Sequence, residues 1–310
     1  MKNLKQIKGD ASFRKFFRKK NKNNYSIIVY SKKEKFKNLI TYDAINKILN
    51  KNKVLAPKMY YQNYRKNYIE IQDFGNETIF KILIKTKKKL FYFKKIVEIL
   101  NKIQLIKDRK IKNFKKKTYK VPSYNKEIII KEANLFCEWY VKLKLSKKDR
   151  FKFTKKYKII IKKLVSQLKL KNNVFVHRDF HISNLMLVNN QIGVIDTQDA
   201  LIGNKAYDLA SLIDDVRFKT SNVLKNKIYN YYISKQKDLK KHKFKNDFEI
   251  LSVLRNLKII GIFTRLAVRD KKKKYLKMIP YAWKLINLRI SNDKLFQDLR
   301  DLLKKDFKKN

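Results

Sequence analysis

Within residues 174–199, VFVHRDFHISNLMLVNNQIGVIDTQD, two carboxylates and an amide fall at spacings that suit phosphoryl transfer. The order is H-x-D-x-x-x-x-N, formed by His177, Asp179 and Asn184, followed by an apolar run that ends in Asp196. A carboxylate near an acceptor hydroxyl can take its proton. An amide oxygen and a second carboxylate can share a magnesium ion, which favours hard oxygen ligands and keeps several waters. Each residue alone has an ordinary explanation, because Asp and Asn end hairpins as caps and turn formers. The whole set in this order is much less easily explained that way.

Positioning these groups requires a hairpin. Residues 184–188 and 192–196 read as short strands, with Asn189, Asn190 and Gln191 as the turn between them. An antiparallel pair centred on Asn190 puts Asn184 opposite Asp196, at a separation of roughly 5 Å on one face. Asp179 lies in the loop left by a strand at 174–176, which brings it to the same mouth. His177 and His181 are two of three histidines in the chain, and they read as braces for the loop rather than proton carriers. Asp199 reads either as a supporting or acceptor-site group or as a turn aspartate. Asp208, in AYDLASL, reads as structural, since a carboxylate in a first helical turn complements the helix dipole.

At these residues the chain resembles the aminoglycoside phosphotransferase and choline kinase superfamily, small-molecule kinases related in fold to protein kinases. Four elements look similar to one branch, the anomeric N-acetylmuramate and N-acetylglucosamine kinases of cell-wall recycling: GDASFRKFFR (9–18), VHRDFHISNLM (176–186), GVIDTQDALIGNKAYDLASL (193–212) and RNLKIIGIFTRLAVRD (255–270). The resemblance implies an α+β, bilobal protein-kinase-like fold, with a small antiparallel-sheet N-lobe and a larger helical C-lobe carrying the catalytic hairpin. It implies that Asp179 is the catalytic base and that Asn184 and Asp196 hold Mg2+ against ATP. Ser12, Gln72 and Asp73 would then bind nucleotide, the first in the turn before the first hairpin and the other two at the hinge. One departure stands out: the strand at 25–30, YSIIVY, lacks the internal lysine with which related kinases hold ATP phosphates. Lys32 and Lys33 follow it, in a chain where a nearby lysine is expected by chance.

The rest of the chain supports two lobes, 1–75 for nucleotide and 76–310 for catalysis and acceptor binding. Residues 13–18 and 25–30 read as a hairpin, 41–49 as a helix, and 58–72 as two more strands ending at Asp73-Phe74-Gly75. Apolar periodicity then predicts helices near 90–106, 125–143, 157–170, 206–218, 247–268 and 275–288. Residues 255–270 set Arg255, Lys258, Arg265 and Arg269 apart from an apolar stripe. Such a basic group would suit the carboxylate of N-acetylmuramate, although a basic helix face in this chain is more often a solvated face.

The 310 residues carry 79 Lys plus Arg and a net charge of +53. A charge of this size usually points to nucleic acid. Here lysine is spread through every segment alongside many Asn, Ile, Phe and Tyr, which indicates a compositional bias, so no specific nucleic-acid partner is expected. The first residues lack the apolar core of a signal peptide, and no run of 18 apolar residues occurs, so a cytoplasmic protein without a membrane partner is expected. Cys137 is single and reads as a buried small hydrophobe. The expected activity is ATP-dependent transfer of a γ-phosphate to the anomeric hydroxyl of an amino sugar, by a monomer or an oligomer of unassigned order. The alternatives are a phosphotransferase for aminoglycosides, choline or another sugar and, in a different class, a weak nucleotide-binding scaffold or a basic RNA-associated protein.

Overall fold

The computed structural model describes residues 4–7, 14–21, 24–31, 38–291 and 293–307. The chain divides into two compact units, residues 1–122 with 174–202, and residues 123–173 with 203–310. The sheet of the first unit ends at Gln72, close to the hinge expected at 73–75, while the unit itself continues to Pro122 and takes in the catalytic hairpin.

The first unit is built on a five-stranded sheet of β1 (Leu4–Ile7), β2 (Lys15–Lys20), β3 (Tyr25–Tyr30), β4 (Met59–Asn63) and β5 (Tyr68–Gln72), ordered β1-β2-β3-β5-β4. All its neighbours are antiparallel. The β-branched and aromatic residues of YSIIVY and YIEIQ suit a pleated surface that is buried on one side. Ile27, Val29, Ile69 and Ile71 form that side, and α1 (Asn38–Lys51) closes it with Leu39 and Tyr42. Burial of this kind is worth roughly 25 cal/mol per Å2 of apolar surface, so it is this layer that fixes α1 on the sheet. After the hinge come α2 (Ile79–Lys85), α3 (Lys89–Leu105) and a small hairpin of β6 (Lys110–Lys112) and β7 (Thr118–Lys120). Asp43 of α1 accepts from the Phe114 N–H in the turn of that hairpin at 2.8 Å.

The segment expected to be catalytic follows β8 (Asn172–Val176), with β9 (Leu185–Val188) and β10 (Gln191–Val194) as the hairpin and β11 (Leu201–Asn204) beyond it. Its register corrects the expectation by one residue. Gln191 pairs with Val188 and Val194 with Leu185, so the turn is Asn189-Asn190 alone. Both asparagines are left-handed, with φ of 47° and 61°, the conformation a two-residue turn needs if it is to follow the twist of its strands. Asn184 therefore lies opposite Ile195, whose N–H donates to its carbonyl at 3.0 Å. Asp196 is one residue further on, turned by a left-handed φ of 62°.

The second unit is helical: α4 (Lys126–Ala133), α5 (Lys142–Lys144), α6 (Lys147–Ser166), α7 (Tyr207–Ile213), α8 (Asn222–Ser234), α9 (Lys241–Val268), α10 (Ile279–Ile290) and α11 (Gln297–Asp306). Between α4 and α5 the chain widens into a π-helical turn, Phe136–Val141. Phe136 there gathers Tyr140, Phe153, Tyr157, Trp283 and Phe307 into one aromatic cluster. Burial in the same region pushes the Cys137 thiol up to about 12, which fits its reading as a buried small side chain. The long α9 is buried nearly all round, as a helix at the centre of a bundle must be. Inside the unit, Asp214 joins three helices, taking Lys225 Nζ at 2.8 Å, Ser252 Oγ at 2.6 Å and Arg289 Nε at 2.9 Å. Burial raises its pKa, but the charges of Lys225 and Arg289 outweigh that and hold it below the ordinary carboxylate value. Asp208 is fully buried in the first turn of α7, in keeping with a structural role.

Gly261 marks the tightest crossing of this unit. A Cβ there would lie 2.3 Å from the Leu135 carbonyl oxygen and 2.7 Å from the Phe136 nitrogen. These are backbone atoms, which a rotamer change cannot move aside. Gly261→Ala is therefore expected to lower stability by about 3 kcal/mol, the upper part of the range for overpacking, and thermal denaturation should show a fall of several degrees. An unchanged melting temperature would mean that the π-helical turn yields freely.

Candidate active site

All the described residues expected to do chemistry lie in the first unit, and the backbone builds the site before any side chain enters. The hairpin is stitched to the segment around the hinge: Leu187 N–H donates to Glu77 at 2.9 Å, Val194 N–H to Leu55 at 2.8 Å, and Thr78 forms an isolated bridge with Met186. Gly193 permits the closest approach, since a Cβ there would lie 2.7 Å from the Phe74 ring. Arg178, at φ 73°, holds a backbone conformation uncommon for a long side chain, of the kind found where a loop is shaped for function.

That loop presents Asp179 and Asn184 together. His181 N–H and Asn184 Nδ2 both donate to the Asp179 carbonyl, each at 3.0 Å, and Asn184 N–H donates to His181 at 2.9 Å. Asn184 Nδ2 also lies 3.4 Å from His181 Nε2. With the amide nitrogen so engaged, Oδ1 of Asn184 is directed elsewhere, and it takes no hydrogen bond from the described residues. His177 is buried with its Nε2 3.1 Å from the Ile195 carbonyl, so both histidines brace the loop, as the sequence suggested.

Asp196 stands at the exit of β10 with its side chain 36% exposed. Its Oδ1 accepts from Arg14 and, at 3.2 Å, from Gln198 Nε2, while Oδ2 has no partner among the described residues. Asn184 Oδ1 and Asp196 Oδ2 are thus two hard oxygens without partners among the described residues, at neighbouring positions of the hairpin mouth. This donor set fits magnesium, which would complete its shell with water and phosphate oxygens. Asp199 takes Gln198 Nε2 at 2.9 Å and lies 3.8 Å from Arg178 Nη1, half-exposed, so it serves the turn.

Three residues of this site were not assigned from the sequence. Arg14, inside the quoted GDASFR element, is nearly buried and donates Nη1 to Gln198 Oε1 at 2.8 Å and Nη2 to Asp196. Asn46 of α1 accepts from Thr197 Oγ1 at 2.5 Å and donates to the Pro57 carbonyl at 2.9 Å, which ties α1 to the turn after Asp196. Tyr42, one helical turn earlier, shares the same surroundings. Burial pushes its phenol up to about 12, against the opposing effects of a hydrogen bond with Asn46 and the charge of Arg14. Tyr42 falls in the helix expected at 41–49, which assigned it no part in a site, and no local signal marks Asn46.

Of the expected nucleotide contacts, Ser12 and the turn 9–12 lie outside the described residues, as do Lys32 and Lys33. Gln72 N–H donates to the Lys58 carbonyl at 2.8 Å. The Asp73 carboxylate is engaged by Arg18, 2.5 Å from Nε, and by the Gly75 N–H at 2.7 Å. The backbone N–H and carbonyl of Asp73 bond no described residue, so that position of the hinge has groups to offer a base.

The basic residues expected on one face of α9 separate in the second unit. Arg255 is 4% exposed, and Lys258 pairs with Glu132 at 2.9 Å. Both line a small cavity of about 10 Å3 with Tyr124 and Tyr207, room for about one water. Arg269 pairs with Asp270 at 2.7 Å near the surface. A solvated face therefore describes Arg269 but not Arg255 or Lys258.

Residues 93–238 match the model of the APH phosphotransferase enzyme family. An N-acetylmuramate/N-acetylglucosamine kinase of Neisseria meningitidis serogroup B is 28% identical over 277 residues, covering 87% of this chain and 80% of the relative. One from Pseudomonas putida is 27% identical over 309 residues, covering 97% and 87%. Among solved structures, a Plasmodium vivax ethanolamine kinase superposes with a TM-score of 0.65 at 15% identity, covering 93% of this chain and 83% of that one. The aminoglycoside phosphotransferase APH(4)-Ia superposes at 0.63 and 10% identity, covering 92% and 93%. The fold is the protein-kinase-like α+β fold that the resemblance implied. With this hairpin in place, the chain is a phosphotransferase that matches the APH family model over residues 93–238 and is similar over most of its length to bacterial N-acetylmuramate/N-acetylglucosamine kinases.

Proposed function

We propose that the chain transfers the γ-phosphate of ATP to the anomeric hydroxyl of N-acetylmuramate or N-acetylglucosamine, giving the sugar 1-phosphate, in cytoplasmic recycling of peptidoglycan. The observation that carries the reading is the arrangement of oxygens at the hairpin mouth. Asn184 commits its amide nitrogen to the loop and not its oxygen, and Asp196, next to the Ile195 that bonds the Asn184 carbonyl, keeps one carboxylate oxygen without a partner among the described residues. In this reading residues 1–75 hold the nucleotide, through Ser12 and the backbone at Gln72 and Asp73, and residues 76–310 supply catalysis and the acceptor site. Asp179 orients the acceptor hydroxyl and takes its proton as the oxygen bonds to the γ-phosphorus and the bond to the bridging oxygen of ADP breaks. Asn184 and Asp196 would hold Mg2+, which when bound would supply positive charge to the phosphate oxygens. The acceptor is assigned from the two relatives named for these sugars.

The test is ATP consumption by the purified protein with magnesium and a panel of N-acetylmuramate, N-acetylglucosamine, glucosamine, choline and kanamycin, with the product identified by NMR. Turnover with the N-acetylated sugars, and a phosphorus coupled to the anomeric carbon, is expected. Turnover confined to choline or kanamycin would overturn the acceptor and leave the phosphotransferase site intact.

A further inference from the structure

Three cations are buried among the described residues, and two of them are matched, Arg14 by Asp196 and Lys225 by Asp214. The third, Arg255 of α9, is 4% exposed. It pairs with no carboxylate among the described residues, and its Nη1 has no hydrogen-bond partner there. A charge held away from water in this way is costly, and a lysine in the same place could shed its proton to relieve the cost. A guanidinium cannot be deprotonated in a protein. Arg255 therefore needs a counter-charge that the described side chains do not supply.

The one carboxylate that shares its cavity is already committed. Glu132 of α4 holds Lys258 Nζ at 2.9 Å and accepts from the Tyr124 hydroxyl. Arg255 and Lys258 thus face a single carboxylate, which leaves an excess of one positive charge. Much of the remaining wall is apolar, from Ile129, Leu251 and Leu254. A water there would accept from Nη1 yet find few of the two to four polar partners that hold a buried water, and it would bring no charge. The volume of about 10 Å3 admits one atom of about the size of a water. It has no room for the three heavy atoms of a carboxylate, the ligand for which the basic group on α9 was a candidate in sequence.

We infer that Arg255 makes this cavity a site for one monatomic anion, a halide such as chloride, which lies against Nη1 and supplies the missing counter-charge. Lys258, 14% exposed, forms part of the wall, and its flexible stem can yield to an ion slightly larger than water. The bound anion ties α4 to α9 within the second unit and adds to the stability of the folded chain. It takes no part in phosphoryl transfer, so the site stands whether or not the chain acts on an amino sugar.

The experiment melts the whole protein, unaltered and as Arg255→Met, in sodium acetate that is replaced stepwise by sodium chloride, and locates bromide by anomalous diffraction in crystals of the unaltered protein. Constant ionic strength keeps the general screening of a +53 chain the same throughout, and acetate serves as the carboxylate that the cavity should refuse. A ligand held only by the folded state should raise the melting temperature of the unaltered protein by about 3 °C at about 200 mM chloride and then level off. Arg255→Met should lose that rise, and bromide should give a peak beside Arg255 Nη1. An equal chloride response in Arg255→Met would overturn the site and assign the effect to the lysine-rich surface. A melting temperature indifferent to the exchange of acetate for chloride would overturn the choice of a halide. Absence of bromide beside Nη1 would overturn the site as well and leave a water there. If Arg255→Met does not fold, the bromide peak alone decides.

Discussion

Asp179→Asn should lower kcat by about a thousandfold, in the middle of the range for removing a general base, while leaving nucleotide affinity and melting temperature close to those of the unaltered protein. The separation of effects follows from how the loop is held. Its bonds run to the backbone carbonyl of Asp179, from His181 N–H and Asn184 Nδ2, and an asparagine keeps that carbonyl along with the size and shape of the side chain. What it loses is the ability to accept a proton. Initial rates at saturating ATP and acceptor, beside a thermal melt, decide the matter. A kcat within tenfold of normal would remove Asp179 from the role of base, and a collapsed melting temperature would show that its carboxylate supports the loop instead.

The parts of the site that could be read from sequence are those that lie close together along it. His177, Asp179, Asn184 and Asp196 fall within twenty residues, and the order of loop, strand, turn and strand follows from their polarity alone. The register was one residue off because Asn189 and Asn190 both adopt left-handed conformations and close the turn without Gln191. Nothing in the polarity of the segment distinguishes a two-residue from a three-residue turn. The missed partners are distant in sequence: Arg14 meets Asp196 across 182 positions, and Asn46 meets Thr197 across 151. The apparent basic face of α9 misled for a related reason. Lysine and arginine mark solvent in most of this chain, yet Arg255 and Lys258 turn inward beside Tyr124, Tyr207 and Glu132 in a contact that helical spacing does not show. Helix α8 mixes lysines and asparagines with its apolar residues, which blurred its periodicity, whereas α11 has Leu299, Leu302 and Leu303 at helical spacing and was missed as a short run of ten residues.

Asp196→Asn should show the opposite profile to Asp179→Asn, with loss of function and loss of stability together. The carboxylate does two jobs: Oδ2 is the open oxygen of the proposed metal pair and Oδ1 is the anion facing Arg14. Replacing it by an amide takes a charged ligand from the metal and leaves the guanidinium, 4% exposed, without its counter-charge. Several kcal/mol of charge stabilisation at the transferred phosphate corresponds to about a thousandfold in kcat/KM for MgATP. The magnesium concentration needed for half-maximal rate should rise more than about tenfold, as expected when a metal site is weakened. The protein should also lose about 1–2 kcal/mol of stability in EDTA, the smaller cost of an ion pair that is part exposed and of an acceptor oxygen that the amide retains. A magnesium titration and a denaturant melt measured on the same sample separate the two jobs. A normal magnesium requirement with reduced stability would leave Asp196 as the partner of Arg14 only. Normal stability with a raised requirement would mean that Arg14 finds its balance elsewhere.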